Sequence, residues 1–118
     1  MLKAIAVNKQ DGEYKGPMET PAALIAEGDP QSESWQSYEF AASGKATMGV
    51  WSGQPGKINI PAYPVNELMT VISGKLEVTN EDGTVMSFEP GESFFIPKGW
   101  KGVWHVVVPS EKCYFIIE

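Results

Sequence analysis

The sequence predicts an all-β domain, built as a sandwich or a barrel. Short runs rich in β-branched and aromatic residues follow one another from Trp35 to the C terminus, with glycine- or proline-containing turns between them. The chain has no long helical periodicity, internal repeat or low-complexity tract. Its 118 residues suffice for a single domain with a hydrophobic core of its own.

The first part of the chain is the least regular. Residues 2–7 alternate weakly between apolar and polar and are predicted to form an edge strand. Turn signals then accumulate as far as Gly28-Asp29-Pro30. We therefore divide the domain into an N-terminal strand and wrapping segment, residues 1–34, and a barrel, residues 35–118.

A short helical turn is predicted inside the wrapping segment, over residues 21–27. Thr20 is the candidate N-cap, and Pro21 fits the first turn because its fixed φ suits a helix start. Gly28 would end the turn. The alternative is an irregular lead-in that runs over the surface of the domain.

From Trp35 onward the strands can be placed in order. The clearest signal is a hairpin, in which residues 75–79 and 84–88 flank the turn Asn80-Glu81-Asp82-Gly83. Gly74 lies between two apolar runs and is predicted to adopt a positive φ in a tight turn. The remaining predicted strands are 35–41, 46–52, 57–60, 67–72, 93–96, 102–108 and 113–117.

The charge balance excludes some classes of partner. The net charge is −6, and all nine basic residues are lysines. Arginine is the usual bidentate ligand for phosphate, so its absence from an acidic chain argues against nucleic-acid binding.

Compartment and membrane association can also be predicted. No apolar run approaches the length of a membrane span, and the N terminus becomes polar too early for a secretory signal. The single cysteine, Cys113, lies in an apolar strand and is expected to be an inert thiol. One cysteine fits a reducing compartment, so we expect a cytoplasmic protein.

Two segments with regularly placed glycines and prolines carry a family resemblance. The first runs from Gly56 through Glu67 to Gly74, and the second runs from Gly91 to Gly99. Together with the tryptophans, they resemble the two motifs of small single-domain cupins. The similarity covers residues 28–118 and is greatest to the group related to the (S)-ureidoglycine aminohydrolase cupin domain and the ethanolamine-utilisation cupin.

The resemblance implies a fold and an assembly. The fold is the RmlC-like jelly-roll barrel, a double-stranded β-helix, here with a partly irregular N-terminal lead-in. A homodimer is expected as well, because a small open β-domain must protect its edge strands. Residues 2–7 are a candidate for strand exchange with a second copy.

The metal ligands that most cupins carry are missing from the matching positions. In the family, the first motif places two histidines before the glutamate, where this chain has Pro61 and Tyr63. A third histidine would fall at Gly102, so only Glu67 matches. Transition-metal sites normally need three or more protein ligands. We therefore predict no cofactor and no tightly bound metal.

The only histidine is not expected to replace them. Strand alternation places Gly102 and Trp104 on one face and His105 on the other. If Gly102 lines the barrel, as the matching cupin position does, His105 points away from the site. A structural histidine or one at a subunit contact is then favoured, unless a bulge reverses the alternation.

Glu67 and Tyr63 remain as the candidate catalytic pair. A carboxyl group desolvated among apolar side chains can act as a general acid or base near neutrality. The alternative is that Glu67 only accepts hydrogen bonds from the barrel. Most of the four tryptophans are expected to pack in the core, with Trp100 at a pocket rim or dimer face. The predicted substrate-binding residues are Met69, Trp104, Trp51 and Trp100.

Three alternative functions are compatible with these residues. The first is a metal-independent enzyme of small nitrogen-compound metabolism, a substrate area that the resemblance implies, with Glu67 moving a proton. The second is a non-catalytic module that binds a small molecule or serves as a dimeric accessory protein. The third, least favoured, is a metal site rebuilt from Glu67 with Tyr63, Asn66 or waters, because such an oxygen-rich set needs more carboxylates.

Overall fold

The computed structural model describes residues 2–118, and these form an all-β domain, as predicted. It contains nine strands and a single 3-10 turn at Ala22–Leu24 within the described residues. None of those residues belongs to a helix long and apolar enough to cross a membrane. The strands are β1 Glu13–Met18, β2 Ile25–Gly28, β3 Ser32–Ala41, β4 Lys45–Gly53, β5 Gly56–Ile60, β6 Asn66–Asn80, β7 Val85–Phe88, β8 Ser93–Ile96 and β9 Gly102–Ile117.

Two long strands, β6 and β9, organise the barrel. They pair antiparallel along most of their length. On the other edge of β9, its N-terminal residues pair with β5 and its C-terminal residues pair with β4. In the same way β6 pairs with β8 first and with β7 later. Because each long strand has two successive partners, the sheet curls around one interior, and the predicted jelly-roll barrel is confirmed.

At the positions where the sequence predicts turns between separate strands, β6 and β9 are continuous but bent. The pairing between β6 and β9 shifts register between Val71 and Leu76. Gly74 adopts the predicted positive φ of 85°, and the hydroxyl of Ser110 accepts a hydrogen bond from the Lys75 amide at 2.9 Å. The irregularity is thus absorbed inside the ladder as a bulge. The prediction of separate strands on either side of Gly74, and likewise within residues 102–117, is therefore wrong.

The N-terminal part differs from the sequence prediction in two ways. Residues 2–7 form no strand in this chain, and Leu2 is 97% exposed. The predicted helical turn is reduced to a 3-10 turn capped by Pro21 without a side-chain bond, and β2 follows directly. Strand β2 forms because it pairs with β5, a tertiary contact that overrides the local preference. Strands β1 to β3 join the same sheet as the rest of the barrel.

Apolar and aromatic side chains fill the interior of the barrel. Their alternation along each strand points every second residue inward, as expected for a half-buried sheet. The buried apolar residues of this core are at most 9% exposed. One contiguous cluster comprises Trp51, Met69, Val71, Leu76, Val78, Phe88, Phe94, Ile96, Trp104, Val106 and Tyr114.

Alanine substitutions at Gly74 and Gly83 test whether the bend at Gly74 is closely packed. Both glycines have positive φ, but a Cβ at Gly74 would clash with Ser110 and lie 2.5 Å from the carbonyl oxygen of Pro109, whereas one at Gly83 meets open space. We expect Gly74→Ala to lower the free energy of unfolding by about 2–5 kcal/mol, and Gly83→Ala by about 1–2 kcal/mol. Urea denaturation measures both, and equal losses would contradict a packed bend at Gly74.

Candidate functional site

Glu67 lies inside the barrel, as its strand pattern predicts. In β6, Glu67, Met69 and Val71 point inward, while Leu68 and Thr70 face outward. Glu67 is 5% exposed, and its neighbours on β8 and β9 are Ile96 and Ile116. A carboxylate this deeply buried must be compensated by hydrogen bonds or an opposite charge.

The opposite charge comes from Lys112, which was not among the predicted site residues. Its Nζ donates to Glu67 Oε2 at 2.8 Å, and Lys112 is 3% exposed. Among the lysines of residues 2–118, Lys112 alone is buried. The predicted strand began at Cys113, so Lys112 was left in a turn. Extending the alternation backward from Tyr114 would have placed its side chain inside.

Aromatic and sulfur atoms surround the ammonium group of Lys112. Its Nζ lies 4.9 Å from the ring centre of Trp51 and 4.7 Å from that of Trp104. It also contacts Met69 Sδ at 2.8 Å. Indole faces stabilise a cation by cation–π attraction. Burial lowers the pKa of Lys112, while the charge and hydrogen bond of Glu67 act in the opposite direction.

Tyr63 completes the polar cluster from the loop between β5 and β6. Its hydroxyl donates to Glu67 Oε1 at 2.6 Å. Burial and then the negative charge of Glu67 raise the pKa of Tyr63, so its proton stays on the phenol. Backbone hydrogen bonds of Tyr63 with Trp100 and Gly99 hold the loop in place.

Trp100 lies beside Tyr63 at the partly exposed edge of this cluster. The two rings are 6.2 Å apart in an edge-to-face arrangement. The Trp100 indole N–H donates to Asn80 Oδ1 at 2.9 Å, which fixes the ring. Tyr63 and Trp100 are both half-buried, so they are the site residues that a molecule from solvent can reach first.

The five remaining predicted site residues fall into two groups around Glu67. Tyr63 bonds Glu67 directly, and Trp100 supports Tyr63. Met69, Trp51 and Trp104 are fully buried and contact the Lys112 ammonium group. The structure therefore brings all six predicted residues into one cluster. Lys112 lies between the Glu67 carboxylate and the rings of Trp51 and Trp104.

Three hydrogen-bonding groups therefore form one chain, Tyr63–Glu67–Lys112. Each carboxylate oxygen of Glu67 has its own donor, with the phenol on Oε1 and the ammonium on Oε2. Because the phenol keeps its proton, a proton can pass within this chain only along the 2.8 Å contact between Lys112 Nζ and Glu67 Oε2. The arrangement suits proton transfer in a water-poor interior.

The donor set does not fit a cupin metal. The positions that match the family's histidines hold Pro61, Tyr63 and Gly102, and residues 2–118 contain no cluster of three His, Cys, Asp or Glu side chains. Both oxygens of Glu67 are engaged by protein donors. Asn66 Oδ1 accepts from the Lys98 amide, on the opposite face of β6. A rebuilt metal site from these residues therefore has too few free ligands.

His105 and Cys113 lie outside the site. His105 faces away from the interior and its Nδ1 is 3.4 Å from Glu77 Oε1, as the alternation of β9 predicts. Cys113 lies one residue from Lys112 and therefore on the other face. Burial raises the pKa of the Cys113 thiol, which fits the predicted inert side chain.

The fold and the inward Glu67 define a cupin barrel. The family model of the EutQ-like cupin domain matches residues 40–114, well over half of the chain. The chain therefore belongs to the EutQ-like cupin family, which confirms the resemblance to small cupins. No curated protein matches it. The relation to the ureidoglycine aminohydrolase cupin domain stays a prediction.

Solved structures support the same fold. A protein of unknown function from Pseudomonas syringae is 20% identical with a TM-score of 0.75, over 98% of this chain and 45% of that one. The chain thus spans less than half of that protein. The EutQ protein of Clostridium difficile is 18% identical, with a TM-score of 0.65, over 94% of this chain and 79% of its own. A Thermotoga maritima protein is 32% identical, with a TM-score of 0.53, over 58% of this chain and 76% of its own.

The ion pair can be tested through stability. Lys112→Met would leave Glu67 buried without its counter-charge, and we expect the free energy of unfolding to fall by about 3–5 kcal/mol. The double variant Glu67→Gln with Lys112→Met removes both charges and should recover most of that loss. Exposed Lys98→Met is the control and should change stability by no more than about 0.5 kcal/mol. Equal losses in the single and double variants, measured by denaturation, would contradict a coupled pair.

Proposed function

We propose that this cupin is a metal-independent protein that binds a small nitrogen compound and moves a proton with Glu67. The observation that carries the proposal is the chain Tyr63–Glu67–Lys112 inside the barrel, where two donors compensate one carboxylate. A buried carboxyl with fixed donors is a usual form of general acid or base.

The arrangement indicates what the ligand must carry. Glu67 Oε1 is the carboxylate oxygen nearer the half-buried Tyr63, whose hydroxyl now occupies it. A ligand that reaches Glu67 from this side must replace that hydroxyl with a donor of its own. An amine or hydroxyl group meets this need, which agrees with the small nitrogen compounds that the family resemblance implies.

Apolar walls would set the size and shape of such a ligand. Met69, Trp51 and Trp104 surround the Lys112 end of the chain, and the Trp51 and Trp104 rings meet edge to face at 5.8 Å. Trp100 lines the entrance beside Tyr63. Because the apolar core residues are at most 9% exposed, we expect that the ligand is small and that Tyr63 moves to admit it.

A screen of small amines and amino alcohols tests the proposal. The protein is first dialysed against a chelator, so that any binding observed does not depend on metal. We expect some ligands to raise the melting temperature of the parent protein and to leave Glu67→Gln unchanged, because the amide replaces the charged acceptor.

Glu77→Gln is the matched control for that screen. Glu77 is a carboxylate on the outer face, where it contacts His105 and Ser87. Ligands that bind at Glu67 should still stabilise this variant. Ligands that stabilise both carboxylate variants equally, or an absence of hits in the parent protein, would refute binding at Glu67.

A second candidate function is a non-catalytic accessory protein. Its support is the interior itself, where both charged groups are satisfied and the apolar core residues are at most 9% exposed. A barrel filled in this way can act through its outer surface alone. The expected cytoplasmic location remains a prediction that applies to both candidates.

The outer surface supports the expected homodimer. Five apolar side chains form one continuous row across β3, β4, β9, β6 and β8, because each is paired in register with the next. Leu68 is 47% exposed and Phe95 is 55% exposed, which is unusual for a row without a partner. The row carries no charge and can pack against its own copy about a twofold axis. Its members are Tyr38, Met48, Phe115, Leu68 and Phe95.

The dimer can be broken at that row. We expect Phe95→Lys to convert the parent dimer into a monomer, because it would bury a charge in the apolar contact on each side of the twofold axis. Val85→Lys is the control, since Val85 is exposed but lies outside the row. Light scattering after size exclusion gives the masses. A monomeric parent protein, or a Phe95→Lys variant that is still dimeric, would contradict this interface.

A further inference from the structure

Lys112 has a second chemical property that the ion pair does not use. A lysine side chain is a primary amine, and its neutral form is a nucleophile toward carbonyl carbon. The other lysines of residues 2–118 are exposed or half-buried. Lys112 is instead enclosed by Trp51, Trp104 and Met69.

The structure also supplies an acceptor for the proton that the amine must lose. Glu67 Oε2 lies 2.8 Å from Nζ, within direct proton-transfer distance. Transfer converts a buried ion pair into a neutral amine and a neutral carboxyl group. A water-poor interior penalises both charges, so the neutral pair costs less here than it would in solution.

We propose that Lys112 is a covalent amine site that forms a Schiff base with a small neutral aldehyde. The proposal rests on the proposed function in one respect: the same Glu67 moves the proton, and a carbonyl compound that reacts at Lys112 is added to the amine or hydroxyl ligand of that site. Nothing in the sequence pattern marks Lys112 for this role. The role is inferred from the positions of the Lys112 amine, the Glu67 carboxylate and the Tyr63 phenol inside the barrel.

Each bond change in this reaction can be assigned to an atom of the site. Nζ of Lys112 gives one proton to Glu67 and attacks the aldehyde carbon, and the carbonyl oxygen takes that proton to give a carbinolamine. A further proton from nitrogen passes through Glu67 to the new hydroxyl, which leaves as water. The product is a protonated imine on Lys112, paired with the Glu67 carboxylate, so aldehyde and ammonium give iminium and water with charge conserved.

The substrate class follows from the surroundings of Nζ. A 2-oxo acid would bring a carboxylate next to Glu67 in a chain of net charge −6, and like charges repel. A neutral carbonyl compound avoids this cost. The core around Nζ is closed to solvent, which favours a short chain, and the indole faces favour an apolar one.

The proposal is tested by reductive trapping on the parent protein. The protein is incubated with propanal and sodium cyanoborohydride at neutral pH, and N-propylation of each lysine is measured over time by peptide mass spectrometry. Exposed Lys98 is the internal control. We expect Lys112 to be modified at least about tenfold faster than Lys98, although burial alone would make it the slower of the two.

The Glu67→Gln variant distinguishes proton transfer to Glu67 from mere accessibility of Lys112 to the aldehyde. Removing the proton acceptor should slow the modification of Lys112 by roughly a hundredfold, the lower end of general acid–base contributions, and leave Lys98 unchanged. If the variant does not fold, the comparison of Lys112 with Lys98 in the parent protein still decides the outcome. Modification of Lys112 no faster than that of Lys98 would overturn the proposal and leave Lys112 as a counter-ion.

The trapping and the ligand screen distinguish the two proposals. If Glu67-dependent ligands are found and Lys112 is not trapped, the covalent site is wrong and the binding function stands. If neither is observed, both are wrong. Fast trapping that is unaffected by Glu67→Gln would overturn the role of Glu67 as proton acceptor.

Discussion

The ion pair between Glu67 and Lys112 is the constraint on which the interior depends. A single carboxylate inside an apolar barrel would destabilise it by several kcal/mol, and so would a single ammonium group. Together, at 2.8 Å and with Tyr63 on the second oxygen, they are compensated. The faces of Trp51 and Trp104 then add favourable contacts to the cation. The aromatic core of this protein is thus built around a charge, and its packing and its chemistry cannot be changed independently.

The geometry of the two long strands makes this pair possible. Lys112 lies opposite Val71 in the ladder, and Glu67 lies opposite Ile116, so the two charged residues are not direct neighbours. The long side chain of Lys112 reaches back along the interior to the carboxylate, past Met69. The bend at Gly74 and Ser110 curls the same strands, so that the residues facing inward along β6 and β9 converge.

Membership of the EutQ-like cupin family establishes a barrel and leaves the chemistry open, because one fold can hold many kinds of site. In this chain, both carboxylate oxygens of Glu67 accept hydrogen bonds from protein donors, Tyr63 and Lys112. The ammonium group of Lys112 provides the positive charge beside it. The half-buried Tyr63 and Trp100 form the part of the site that faces solvent.

The sequence by itself determined the all-β class, the hairpin at residues 80–83, the positive φ of Gly74 and the inward direction of Glu67, Met69 and Trp104. These features depend on local turn chemistry and on a period of two, both of which can be read along the chain. Only the tertiary structure decided that Lys112 faces Glu67, that β2 replaces a helical turn and that β6 and β9 continue through their bends. Those outcomes depend on pairing between distant segments. Alternation back from Tyr114 indicates that Lys112 points inward, but no local sign shows that its partner is a carboxylate 45 residues away.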